Sequence, residues 1–379
     1  MHRLNHVIPV FSLMLTLASH AANVLETSTA GAEAMLVKDR ISDAIYVFRA
    51  PYDLERWTAT NSVVVINDAD VTVFDSCSRA VTARAVIAEI RKLTAKPVRT
   101  LINSHWHLDH WSGNAEYAKA FPGLRIIATA QTRDYMQFTG KTFFATSAAR
   151  GAAANRAALS AAIESGRLAD GSPLTPEIRA RKEHNVAAQE QFAVEILAEP
   201  RVLPNVAYKD AMTFWSGRRE FRLTSMDGDA SASTVLYLPS DKVLITGDVL
   251  VTHDDGPGPP PWTTNSYAIS SWFDSLRRLA ALDADAIVPG QGPVLHDKAY
   301  LQRTIELFQT IIDQVHAALG SGAVTVEEVA ANVNVDRIAL AYTPGATQPD
   351  KNFHDILMDL IKKTMQEARD GVRARSSAE

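Results

Sequence analysis

Six consecutive residues, His105-Trp106-His107-Leu108-Asp109-His110, concentrate the chemistry of this chain. Three imidazoles and a carboxylate this close together have few uses other than holding metal. Imidazole suits zinc, while a carboxylate adds a hard oxygen and can also orient a bound water. The run follows Thr100-Leu101-Ile102-Asn103, which reads as a strand, and precedes a helix opening near Ser112-Gly113-Asn114. On an extended segment His105 and His107 project to the same side, whereas Asp109 and His110 turn back where the helix begins. One run can thus supply two adjacent metal positions.

The elements that must carry this turn follow from periodicity. Residues 44–50, 61–67 and 70–75 are short β-branched runs separated by turn residues, which predicts an opening antiparallel meander. Residues 80–93 carry apolar side chains at helical spacing and stop before Lys96-Pro97, so a helix is expected there. A strand over 99–103, the histidine turn, a helix over about 113–120 and a strand over 124–128 complete an α/β pattern with mixed sheets. From about 132 to 210 the pattern shifts. Alanine dominates to 199 and Gly171-Ser172-Pro173 divides the stretch, which predicts a helical insertion in two pieces. Strands resume at 211–214, 220–224, 234–238 and 242–246, the last two forming a hairpin closed by Pro239-Ser240-Asp241. A stiff loop at 257–261, a helix near 270–282, a strand at 286–288 and mostly helix from 298 to about 370 follow.

Composition narrows the function classes. The chain has 379 residues, 46% hydrophobic and 21% charged, which fits a large folded domain and excludes fibrous and polytopic membrane classes. A formal charge of -5 with no basic stripe argues against nucleic acid as a partner. One cysteine, Cys77, excludes an internal disulfide framework and a cysteine-based zinc site, and it reads as a small packing residue. Arg3 followed by the apolar run 7–17 and the small residues Ser19 and Ala21 reads as a signal peptide over residues 1–21. The expected product is periplasmic or secreted, with no membrane attachment after cleavage.

Around the histidine turn the chain resembles the metallo-β-lactamase superfamily. The motif His-X-His-X-Asp-His stands here as His105, His107, Asp109 and His110. Leu236-Tyr237-Leu238-Pro239 through Thr246-Gly247-Asp248 looks like the family's hairpin ending in a metal-bridging aspartate, and Pro289-Gly290-Gln291-Gly292-Pro293 is similar to its Pro-Gly-His-Gly-Pro loop. The resemblance implies a four-layer αββα sandwich of two mixed β-sheets flanked by helices, occupying residues 22–320 around the insertion. Residues 321–379 would be a helical C-terminal extension.

The resemblance also implies a ligand set. His105, His107 and Asp229 would hold one ion, Asp109, His110 and Gln291 the other, and Asp248 would bridge them. Asp229 and Gln291 stand where the family has histidines, so the set is richer in oxygen, and His253 lies close enough in sequence to Asp248 to join it. Zn2+ is the expected metal, as one or two ions, with Mn2+ or Fe2+ admitted by the harder donors. The implied activity is metal-dependent hydrolysis of an ester, thioester, lactone or amide in a small-molecule substrate, by a metal-bound hydroxide that Asp109 orients or deprotonates. Two other readings stay open at this point. One is a degenerate, non-catalytic member that binds a metal or small molecule; the other is a single-iron oxidative enzyme.

Overall fold

A computed structural model describes residues 36–50, 59–139, 141–198, 200–252, 268–342 and 351–376. The segment read as a signal peptide, the loop at 257–261 read as stiff and His253 lie outside the described residues.

The opening meander forms as β1 (Val37–Arg40), β2 (Ile45–Arg49), β3 (Ser62–Ile66) and β4 (Val71–Phe74), paired antiparallel in that order. Helix α1 (Ala80–Leu93) then carries the chain back, so that β5 (Val98–Ile102) pairs parallel to β4. The metal-type turn holds a single helical turn, α2 (Leu108–Trp111), followed by α3 (Asn114–Ala120) and β6 (Arg125–Thr129). The insertion is α4 (Ala130–Phe138), α5 (Lys141–Ser165) and α6 (Pro176–Ala198). A short β7 (Val206–Tyr208) pairs parallel to β6 and completes a seven-stranded sheet, so the helical part of the insertion ends before residue 206.

The second sheet has the order β12-β11-β10-β9-β8. It comprises β8 (Ala211–Ser216), β9 (Arg219–Met226), β10 (Ser233–Leu238), β11 (Val243–Gly247) and β12 (Ala286–Pro289). Helix α7 (Ile269–Ala280) makes the crossover to β12, which is parallel to β11, while the other neighbours are antiparallel. Helices α8 (Ala299–Gly320), α9 (Val326–Ala330), α10 (Asp336–Ala341) and α11 (Lys351–Ser376) follow.

Period-2 alternation shows why these layers stack. Ile45, Val47, Val63 and Val65 of the first sheet face Leu236, Leu238, Val243 and Ile245 of the second in one buried cluster between the sheets. Their sequence neighbours Phe48 and Val64 face outward under α1 and α3, and Val235 and Leu244 face α7, α8 and α11. Each such side chain contributes about 1.5–3 kcal/mol when fully buried. The result is the αββα sandwich with a helical extension, because both faces of both sheets are apolar. The insertion rests on the metal-type turn itself. Leu108 and Trp111 of α2 pack with Met136, Ala145 and Ile196, and Arg79 makes a bidentate pair with Glu195 of α6, both N···O distances 2.8 Å.

Candidate metal centre

The ends of β4, β5, β9, β11 and β12 open on one edge of the sandwich, where open α/β sheets place their ligand sites. From β5 the chain runs straight into His105, which is fully buried. Asn103 and Asn114 then close the turn with reciprocal amide bonds of 3.0 and 2.8 Å, and Ser76 donates to Asn114 at 2.8 Å. Residues 227–232, between β9 and β10, deliver Asp229, whose amide donates to the Asp248 carbonyl at 3.2 Å. Asp248 follows Gly247, which takes a φ of 52° in the left-handed region. Gly290 must also be glycine, since a Cβ there would lie 1.9 Å from Asp248 Oδ1.

Two donor groups result. His105, His107, Asp229 and Asp248 each offer one atom, all within 4.8 Å of one another, and Asp109, His110 and Asp248 form a second group by the same measure. Asp248 belongs to both. Its Oδ2 lies 3.9 Å from His105 Nε2 and its Oδ1 lies 3.4 Å from His110 Nε2, while His107 Nδ1 is 3.4 Å from Asp229 Oδ2. Gln291 sits beside the second group, its Nε2 donating to Asp109 Oδ2 at 3.2 Å and Asp248 Oδ2 at 3.3 Å. His296 is exposed and belongs to neither group.

These residues fit divalent cations. His105 Nε2, His110 Nε2 and Asp248 Oδ1 are buried polar atoms without a hydrogen-bond partner, and such atoms are costly unless something charged or polar meets them. The electrostatics agree. Burial, together with the neighbouring His110 and His107, pushes the His105 pKa well below its usual value, which keeps it a neutral ligand. Burial acts to raise the Asp109 pKa, but His110, His107 and the Thr60 hydroxyl outweigh it and hold the group at about 2, so it stays a carboxylate. Burial also opposes the charge on His110, but Asp109, Asp248 and Asp75 around it raise its pKa well above the usual value.

The His110 shift has a measurable consequence. Below its raised pKa the metal-free His110 carries a proton that a metal must displace. Cation affinity at the second group should therefore rise about tenfold per pH unit through neutrality and flatten above that pKa. Titration calorimetry in buffers of different ionisation enthalpy should show about one proton released per ion entering there; no release would contradict the assignment. In the metal-free fold the sign is reversed: His110 contributes stability below its ordinary pKa and loses it as pH rises through the raised one.

Several supporting residues escape a reading of the sequence. Asp75, at the end of β4, accepts from or shares a proton with His110 Nδ1 at 2.7 Å and accepts Ser104 N and Oγ at 2.7 Å each. Burial pushes its pKa up, against the pull of His110. It fixes the His110 ring so that Nε2 faces the cation space, the role a carboxylate behind a ligating histidine performs. Thr60 Oγ1 donates to Asp109 Oδ2 at 2.9 Å, and Asn61 Nδ2 donates to the carbonyls of Pro289 and Gly292 at 2.8 Å each, stapling the Gln291 loop to the first sheet. The one available signal for Asp75 is register: β4 and β5 are parallel neighbours, so the residue after Phe74 lies level with Asn103. We expect Asp75→Asn, which tolerates the observed φ of 61°, to weaken metal retention about 10- to 100-fold in chelator competition without unfolding the chain. Unchanged retention would remove Asp75 from the account.

The sequence profile of the metallo-beta-lactamase superfamily matches residues 56–291, and the chain belongs to that superfamily. It is 23% identical over 283 residues to the linear primary-alkylsulfatase of Pseudomonas sp. (strain ATCC 19151), an alignment covering 69% of this chain and 47% of the relative. The chain thus spans about half the length of the curated relative it matches. Among solved structures, the stereoselective inverting sec-alkylsulfatase from Pseudomonas sp. aligns at 16% identity with a TM-score of 0.57, covering 88% of this chain and 50% of that one. A metallo-beta-lactamase from Pontibacter korlensis aligns at 17% identity with a TM-score of 0.48, covering 72% and 99%. At such identities the sec-alkylsulfatase match shows the fold.

Proposed function

We propose that this chain is a metal-dependent hydrolase acting on an ester, thioester, lactone or amide bond. The observation that carries this reading is the pair of donor groups sharing Asp248 at the open edge of the sandwich. A divalent ion such as zinc, manganese or iron, held by these residues, would supply Lewis acidity for attack by water on the scissile bond.

The chain's own residues do the rest. Asp109, ionised and pinned through Oδ2 by Thr60 and Gln291, orients the attacking water and takes its proton. Asp75 and Ser104 keep the His110 ring from turning away. Trp106 lies edge-on to His107 with ring centroids 4.4 Å apart and continues to Tyr135 at 5.7 Å, and Phe138 on the same helix is 79% exposed. Such an aromatic rim suits a substrate with an apolar arm. The alkylsulfatase relative adds alkyl sulfate esters to the substrates worth testing.

The test is a panel containing a nitrophenyl carboxylate ester, a thioester, a lactone and a medium-chain alkyl sulfate, assayed before chelation, after it and after return of zinc or manganese. Turnover of at least one member, abolished by chelator and restored by metal, is expected. No turnover by metal-loaded protein would favour the non-catalytic reading, and activity that requires iron and dioxygen would favour the oxidative one. Export to the periplasm or medium belongs to the same proposal, and an intact mass lacking residues 1–21 would support it.

A further inference from the structure

The two donor groups are chemically unequal. The group of His105, His107, Asp229 and Asp248 offers two imidazoles and two carboxylates, four donors of the kinds zinc takes. The group of Asp109, His110 and Asp248 offers one imidazole and two carboxylates, one of them shared. Gln291 could add a fourth donor only by turning its amide oxygen inward. Its side chain faces two carboxylate oxygens, Asp109 Oδ2 and Asp248 Oδ2, and carboxylates accept hydrogen bonds without donating any. An amide oxygen there would meet two like charges, whereas the NH2 group gives each carboxylate a hydrogen. The loop cannot swing away to relieve this. Asn61 N donates to the Gly290 carbonyl at 2.8 Å, the Asn61 amide holds Pro289 and Gly292, and Thr252 N donates to the Gln291 carbonyl at 3.0 Å. The Thr60 hydroxyl adds a further donor to Asp109 Oδ2.

We propose that Gln291 is a hydrogen-bonding clamp on the two carboxylates, not a ligand. It leaves the Asp109, His110 and Asp248 position with three protein donors and a preference for a hard, exchangeable divalent cation such as manganese, beside a tightly held zinc at the four-donor position. Oxygen-rich, incompletely closed sets favour hard ions that keep water or substrate oxygens in their shell, while imidazole-rich closed sets retain zinc. This rests on the metal-site reading above, and its test reads metal content, so the two can fail separately.

The full chain, stripped and then dialysed against zinc and manganese together, should retain one zinc per chain after gel filtration. It should hold a second ion that exchanges freely and, by electron paramagnetic resonance, is manganese. Gln291→His places an imidazole in the gap and should tighten the second zinc by about tenfold or more, displacing manganese. Retention of the first zinc and an unchanged far-ultraviolet circular dichroism spectrum show that this variant is folded. Two zinc ions of equal affinity in the unaltered chain, or a folded Gln291→His variant with no gain in second-site zinc, would overturn the proposal while leaving the hydrolase reading intact. A folded chain that binds no divalent ion would overturn both.

Discussion

Replacing Asp248 with asparagine is expected to cost the protein both metal positions at once, with metal affinity falling more than about 100-fold and hydrolysis falling to background. Among the described residues, no other belongs to both groups. Asp248 Oδ2 faces His105 and Oδ1 faces His110, so one substitution removes a charged donor from each shell. Loss of a residue that only supports a ligand already costs about 10- to 100-fold, and loss of a ligand shared by two ions exceeds that. Asparagine preserves the shape, which matters because the close approach of Gly290 leaves no room for a larger group. The unmet cost falls on His105 Nε2, which is buried without a hydrogen-bond partner. Elemental mass spectrometry on the folded variant checks this; metal retained at the level of the unaltered chain would show that Asp248 is not a ligand.

Asp109→Asn is expected to separate binding from chemistry. The first donor group does not include Asp109, so one zinc should remain. The substitution removes the carboxylate that orients the attacking water, and the loss of a positioned proton acceptor lowers rates by roughly 10^2 to 10^4. It also weakens the second position, where Asp109 Oδ2 is 3.1 Å from His110 Nε2. The expected signature is therefore a fall in kcat of roughly 10^2 to 10^4, with about one ion kept per chain. Full activity in this variant would remove Asp109 from the mechanism.

What could be read from the sequence follows the range of the forces involved. The run His105 to His110 was legible because its donors are neighbours and a strand-to-helix turn aims them with no help from elsewhere. Helix α1 was legible for a similar reason, with apolar spacing inside it and Pro97 beyond it. Asp229 and Asp248 became legible only through the family resemblance, which fixes their places relative to the hairpin of β10 and β11. Thr60, Asn61 and Asp75 were not legible, since their roles come from contacts between residues far apart in sequence: Asn61 meets Pro289 across 228 residues and Thr60 meets Asp109 across 49. The behaviour of Gln291 was hidden too, because an amide can donate or accept and only the two carboxylates facing it decide which. Strands β1 and β7 escaped for a different reason. β1 is a polar edge strand with alternate residues exposed, and β7 is three residues long.

The most direct measurement of the central claim is anomalous diffraction at the zinc and manganese absorption edges from crystals grown with both ions. A zinc peak is expected among His105, His107, Asp229 and Asp248 and a manganese peak among Asp109, His110 and Asp248, with Asp248 between them. Density at neither position in a folded, ion-loaded crystal would contradict it.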